Sequence, residues 1–226
     1  MRKFTVYLFC LVWIVSLLAC QSTPKKPYNY QPYLSHMPES ILVLPPINQS
    51  LEVNASYMYI SIISRPIAEK GYYVFPVAVI DALMKENGVG SPEDMHRISL
   101  SKIKEIINPD AVLYVTIKEW GTQYKIIDSQ TIVHVSATLI DTDSEQQIWQ
   151  NSCRIVKSSN DNANNIAEML VAALVNQVMS NFLDPTINVA RMANQRMYYN
   201  DYNGLVPGKY HPLFEERQKK IKEQMK

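Results

Sequence analysis

Leu113-Tyr114-Val115-Thr116-Ile117-Lys118, and further on Val133-His134-Val135-Ser136-Ala137-Thr138-Leu139, set the fold. In both runs apolar and polar residues alternate, so successive side chains point to opposite faces and one face is buried. After Gly121, Tyr124 and Ile126 keep the same period of two. Asp141-Thr142-Asp143-Ser144 has turn chemistry, and Gln147 to Cys153 offers a further strand through Ile148 and Trp149. A meander with one buried face accounts for all of it.

Upstream the period changes. Ile41 to Leu44 is a short apolar run stopped by Pro45-Pro46, which cannot donate to a ladder, and it suits a buried strand. From Asn54 to Ile63, Ala55, Met58, Tyr59, Ile62 and Ile63 recur at helical spacing; Pro66 is placed to kink or restart that helix and Gly71 to end it. Tyr72 to Phe75 is a second strand closed by Pro76, and a helix from Val77 to about Glu86 stops at Asn87-Gly88. Ser91-Pro92-Glu93-Asp94 reads as an N-cap, a proline at the first helical position and acids at the positive end of the dipole. Leu100, Ile103, Ile106 and Ile107 mark one more helix before Asn108-Pro109. The expected class is α/β, a mixed sheet of about five strands with covering helices in two or three layers.

Downstream, Ile166, Leu170, Leu174, Val178 and Phe182 fall every fourth residue and predict a helix packed across the sheet. From Asp184-Pro185 the pattern weakens. Arg191 to Met197 suits a short helix, Tyr198 to Gly204 a loop, and Phe214 to Lys226 a charged helix that projects or docks weakly.

The amino end carries Arg2 and Lys3, an almost unbroken apolar run from Phe4 to Leu18, and the small Ala19 before Cys20. This resembles the lipobox of a bacterial lipoprotein signal. Cleavage before Cys20 would free its amine for acylation while its thiol forms a thioether to diacylglycerol. An uncleaved anchor would need about 20 apolar residues, and an ordinary secretory signal wants a small residue where Leu17 stands. One acyl chain binds only marginally, so several, palmitate among them, are needed for durable attachment to the membrane. Gln21-Ser22 lacks the acid that retains enterobacterial lipoproteins at the inner membrane, so the expected address is the outer membrane, with the domain facing the periplasm.

The resulting division is a signal over residues 1–19, a Pro- and Tyr-rich tether over 20–38, an α/β domain over 39–184 and an extension over 185–226. Lys25 and Lys26 either touch anionic headgroups or are simply solvated. With Arg2 and Lys3 gone, 20 basic and 21 acidic residues remain, which argues against nucleic acid as a partner. Cys10 leaves with the signal and Cys20 is the lipidation site, so Cys153 is the remaining thiol, suited to filling space in a strand.

The residues suggest no catalytic, metal or cofactor site. His36, His96, His134 and His211 lack ligand spacing, Gly88-Val89-Gly90 lacks the third glycine of a phosphate cradle, and no G-x-S-x-G occurs. Asp141, Asp143 and Glu145 lack the central glycine and twelfth-position Glu of a calcium loop, and read as a hairpin turn. What is left is aromatic. Tyr198, Tyr199, Tyr202 and Tyr210, the last beside His211, and Tyr28, Tyr30 and Tyr33 suit a partner interface or glycan stacking, or else pack the irregular ends onto the domain. An envelope hydrolase would instead need a cleft with two converging carboxylates or a Ser-His pair.

Gly71-Tyr72-Tyr73-Val74-Phe75-Pro76-Val77, Pro109-Asp110-Ala111-Val112-Leu113-Tyr114 and Gly208-Lys209-Tyr210-His211-Pro212 resemble a family of bacterial lipoproteins of the meningococcal surface-antigen type. The second segment is also similar, more loosely, to the CsgG and TolB N-terminal-like group. Lys209 departs from the pattern, which places a proline between Gly208 and Tyr210. The resemblance implies a TolB N-terminal-like sheet covered by helices at the outer membrane. It also implies envelope proteins of a CsgG-like secretion or assembly system as partners, with self-association open, and it supplies no catalytic residues.

Overall fold

The computed structural model describes residues 28–124, 129–158 and 185–224. The lipobox, Cys20, Ile126 and the helix expected over 166–182 lie outside the described residues.

In chain order the elements are α1 (Gln31–His36), β1 (Ser40–Val43), β2 (Ile47–Asn48), α2 (Ala55–Glu69), β3 (Tyr73–Val74), α3 (Val77–Glu86), α4 (Pro92–Met95), α5 (Leu100–Ile106), β4 (Ala111–Tyr124), β5 (Ser129–Asp141), β6 (Gln147–Ser158), α6 (Pro185–Tyr198) and α7 (Phe214–Gln224). The sheet has six strands in the order β3-β1-β4-β5-β6, with β2 also on β4. β3 is parallel to β1, and β1 and β2 are parallel to β4, while β4, β5 and β6 form the expected antiparallel meander. The sixth strand arises because Pro45-Pro46 interrupts the ladder without ending it. Leu44 still donates to Leu113, and after the two prolines, which have no N–H, Ile47 and Asn48 rejoin β4 at Thr116 and Ile117.

Two irregularities reset the alternation. β4 and β5 slip register between Ile117 and Glu119, so Lys118 is the extra residue and Trp120, not Glu119, turns inward. β6 slips at Ile148, which lets both Ile148 and Trp149 be buried.

One face of the sheet carries Ile41, Val43, Leu113, Val115, Ile117, Val133, Val135 and Cys153 under α2 and α6. The other carries Leu42, Leu44 and Val112 under Ile80 of α3, Met95 of α4 and Ile103 of α5. Among the described residues that second cover stops at β4, and the outer face of β5 and β6 mixes the polar His134, Ser136, Thr138 and Arg154 with Ile132, which is buried, Ile140 and the exposed Val156. α2 runs unbroken through Pro66, and Gly71 follows its end at φ 81°. The Ser91 hydroxyl caps α4 by accepting from Asp94 N–H, as the sequence indicates.

The tether and the extension both shorten. Residues 28–36 pack on the domain, with Tyr33 fully buried. The irregular composition there conceals burial because the partners of Tyr28, Tyr30 and Tyr33 lie far along the chain. Likewise α6 begins at Pro185 and buries Val189, Ala190, Ala193 and Met197, and α7 buries Ile221. The carboxy-terminal part is therefore integral to the core.

Candidate functional site

The tyrosines act inward first. The Tyr30 hydroxyl donates to Gly204 O at 2.7 Å, Tyr33 and Tyr72 share a hydroxyl bond of 2.6 Å, and Tyr72 donates to Val206 O at 2.5 Å. Trp149 Nε1–H donates to Asn203 O at 3.0 Å. Together they staple residues 203–206, which belong to no helix or strand, onto the core. Burial raises the Tyr33 hydroxyl pKa to about 12, so it stays a neutral donor. Tyr28 accepts from Gln150 N–H and donates to Gln150 O, covering one step of the β6 edge. Downstream, Gly208 N–H donates to Lys70 O and Tyr210 N–H to Gly71 O. A Cβ on Gly208 would lie 2.6 Å from Gly71 O, so only glycine allows that approach.

The proposed tyrosine interface is thus corrected in part. Tyr198 is fully buried beside Trp149, with ring centroids 5.7 Å apart, and cannot meet a partner. Tyr199 is half-buried, bonded to Glu69 and lying under Lys70. Tyr202 and Tyr210 remain exposed, and His211 is half-buried against Gly71. Lys209 forms an ion pair with Glu39, so a salt link ties down the loop where a proline was expected.

The surface that sequence reasoning missed lies at the opposite margin. Between β2 and α2 the loop Gln49-Ser50-Leu51-Glu52-Val53 is folded on itself by side-chain bonds: Asn48 Oδ1 accepts from Ser50 N–H and Oγ–H, and Asn48 Nδ2–H donates to Glu52 O. This raises Leu51 and Val53 into solvent at 101% and 83% exposure, with Tyr57 of α2 alongside. Next to Val53 a cleft of about 450 Å³ opens between α2 and α3, lined by Pro45, Val53, Tyr57, Ile60, Val77 and Ala78. Lys85 stands on its wall, bonded to Asp81 at 2.6 Å and set over the Tyr57 ring, and the Asp81 bond holds its pKa above the ordinary value. On the other side of the loop a second hollow of about 400 Å³ borders the end of β4. Exposed aliphatic residues on a ridge between two hollows are what a protein partner covers, each full burial contributing roughly 1.5–3 kcal/mol.

A Ser-His pair does exist, on the outer face of the sheet. His134 Nε2 lies 3.1 Å from Ser152 Oγ and His134 Nδ1 3.5 Å from Glu119 Oε2. Ser152 Oγ lies equally close, 3.1 Å, to the backbone carbonyl of Val135, which competes with the imidazole for its hydrogen. Glu119 is moreover gripped by Arg154 through two bonds of 2.5 and 3.1 Å, and the group lies on an open sheet rather than in a cleft. Burial, then the nearby Lys118, hold the His134 pKa below its ordinary value. Cys153 is buried, and that burial raises its pKa, leaving an unreactive thiol. Asp141 accepts from Asp143 N–H, Ser144 N–H and Ser144 Oγ–H, closing a turn. Among the described residues no three His, Cys, Asp or Glu side chains are grouped to hold a metal ion.

Comparison with known proteins agrees with these boundaries. The family model described as Putative lipoprotein GNA1162-like matches residues 28–210, beginning where the described fold begins and taking in the stapled strap. A curated relative named Putative lipoprotein NMB1124/NMB1162, from Neisseria meningitidis serogroup B, is 35% identical over 211 residues, which is 93% of this chain and 97% of the relative. The crystal structure of lipoprotein GNA1162 from Neisseria meningitidis is similar at 40% identity with a TM-score of 0.53, covering 63% of this chain and 99% of that one. A looser likeness is to the PelC dodecamer from Paraburkholderia phytofirmans, at 13% identity and a TM-score of 0.45, covering 71% of this chain and 84% of that one.

Proposed function

Since this chain belongs to the GNA1162-like lipoprotein family, we propose that it is a non-enzymatic accessory protein. In this reading acyl chains on Cys20 anchor it to the periplasmic side of the outer membrane, and it binds envelope proteins of a secretion or assembly system. The observation that carries the binding role is the ridge of Leu51, Val53 and Tyr57 beside the apolar cleft. The anchor supports it. Tethering to a surface raises the effective concentration of a partner in the same membrane, so modest contacts suffice for occupancy. The described fold begins at Tyr28, which leaves seven residues, 21–27, between the lipid site and the domain. At about 3.3–3.6 Å per residue they reach no further than roughly 30 Å. The domain therefore works close to the bilayer.

Growth with an alkyne fatty acid tests the anchor. The chain is expected to take up label and fractionate with outer membranes, and Cys20→Ala to lose both; label retained in Cys20→Ala would remove the lipoprotein assignment of that residue. Photo-crosslinking from Val53 tests the binding role, with a discrete product to another envelope protein expected. Products only with the chain itself would instead make the ridge a self-association surface.

A further inference from the structure

Where β2 ends at Asn48, β4 continues to Tyr124 with no strand on that side among the described residues. The last backbone bond there is Gln49 N–H to Ile117 O, at 2.8 Å. Successive residues of a strand turn their backbone groups to opposite sides, and Leu113 and Ile117 turn theirs toward β1 and β2. The extra residue at Lys118 shifts that phase by one. Trp120 and Thr122 consequently present their N–H and C=O groups to the vacant side, where no described residue bonds to them. This edge does not lie in open solvent. It borders the hollow of about 400 Å³ walled by Ser50, Leu51 and Glu52 of the loop and by Trp120, Thr122 and Gln123 of β4. The Trp120 ring itself is turned inward, 7% exposed and edge-on to Tyr59 with centroids 6.3 Å apart, so the backbone of Trp120 and Thr122, not the indole, is what this edge offers to the hollow. Backbone groups left without partners are costly once covered, so whatever covers this edge must supply donors and acceptors of its own.

We propose that this groove is a strand-addition site: an extended peptide segment of the partner protein pairs with β4 at Trp120 and Thr122, continuing the line of β1 and β2. The inference rests on the partner-binding reading above and names its mode. Outward N–H and C=O groups repeating every second residue, about 6.6–6.8 Å apart, match the repeat of another extended backbone. An acyl chain offers no acceptor for them. Leu51, at the rim, is then available to the peptide's side chains, and the peptide's next residues run toward Val53 and the apolar cleft.

The test uses the lipidated full chain in nanodiscs of phosphatidylethanolamine and phosphatidylglycerol, panned against a display library of random heptapeptides. Enriched peptides are expected to lose at least tenfold in affinity when N-methylated at alternate residues and to tolerate the same change between them. They are also expected to slow amide exchange at Trp120 and Thr122 and to shift the backbone amide resonances of both. No enrichment, or binding without that alternation and amide protection, would overturn the proposal, as would a glycan panel that alone shifts the Trp120 resonance. The two readings separate cleanly. Crosslinks from Val53 in cells without the alternation leave partner binding standing and remove strand addition; alternation and protection without Val53 crosslinks do the reverse.

Discussion

On the helix-covered side of the sheet, Tyr30, Tyr33, Tyr72 and Trp149 bury their rings and direct their hydroxyl or indole N–H groups at each other and at carbonyls of residues 203–206. At the opposite margin, Leu51 and Val53 stand in solvent on a loop whose polar neighbours bond to one another. The same balance of apolar area and hydrogen bonding has been solved in two opposite directions. In the covered half these four polar tips find partners inside the fold, which gains a stapled carboxy-terminal strap. At the margin polar side chains hold a turn rigid so that aliphatic ones are displayed. Aromatic richness in this sequence therefore marks burial more than display, and a short polar loop holds the two most exposed aliphatic residues.

Substitutions should separate the halves. Trp149→Ala empties a fully buried indole site and releases Asn203 O; it is expected to cost about 3–5 kcal/mol in urea unfolding and to free the strap for proteolysis near residue 203. A loss below about 1 kcal/mol would mean the strap is not stapled. Tyr72→Phe keeps the ring but strands the Tyr33 hydroxyl and Val206 O, and about 1–3 kcal/mol should be lost. Equal stability of the variant would place water in that bond's role.

Acid should weaken the fold by a different route. Burial holds the pKa of His96 below its ordinary 6.5, though its ring also bonds Pro45 O, and burial lowers His211 and His134 as well. The unfolded chain then binds more protons than the folded one below pH 6.5, so stability is complete above that value and declines as pH falls beneath it. Urea midpoints at pH 7.5 and 5.5 should show the decline, and His96→Gln should flatten it; an unchanged slope would contradict neutral burial of that ring. The smallest effect belongs to the margin. Leu51→Ser and Val53→Ser should change stability by less than about 0.5 kcal/mol, while abolishing crosslinks to the partner. A large loss of stability would show that these residues pack within the fold.

Much of the architecture was legible because alternation is strong. The meander, the buried β1 and the α2, α3 and Ser91 boundaries all follow from period, proline and cap residues. The slips left signals too. Apolar residues at 113, 115 and 117 resume at 120, one residue late, and Ile148-Trp149 are adjacent where alternation allows one; both mark bulges. Burial of Tyr30 and Tyr33 could not be read, since their partners at Gly204 and Tyr72 lie far along the chain and no local period reports them. Nor could the display of Leu51 and Val53, because hydrophobicity alone does not say which way a loop residue points. The expected lipid attachment at Cys20 rests on the sequence motif alone, which an enzyme rather than the fold would read.

The most direct test of the account is a photo-crosslinking map in living cells, with benzoylphenylalanine placed in turn at Leu51, Val53 and Tyr57 on the margin and at Met192 and Tyr210 on the covered half, all exposed. Strong products with one envelope protein from the three margin positions, weakened in Cys20→Ala and absent from the other two, are the predicted result. Products arising from Met192 or Tyr210 while the margin stays silent would contradict it.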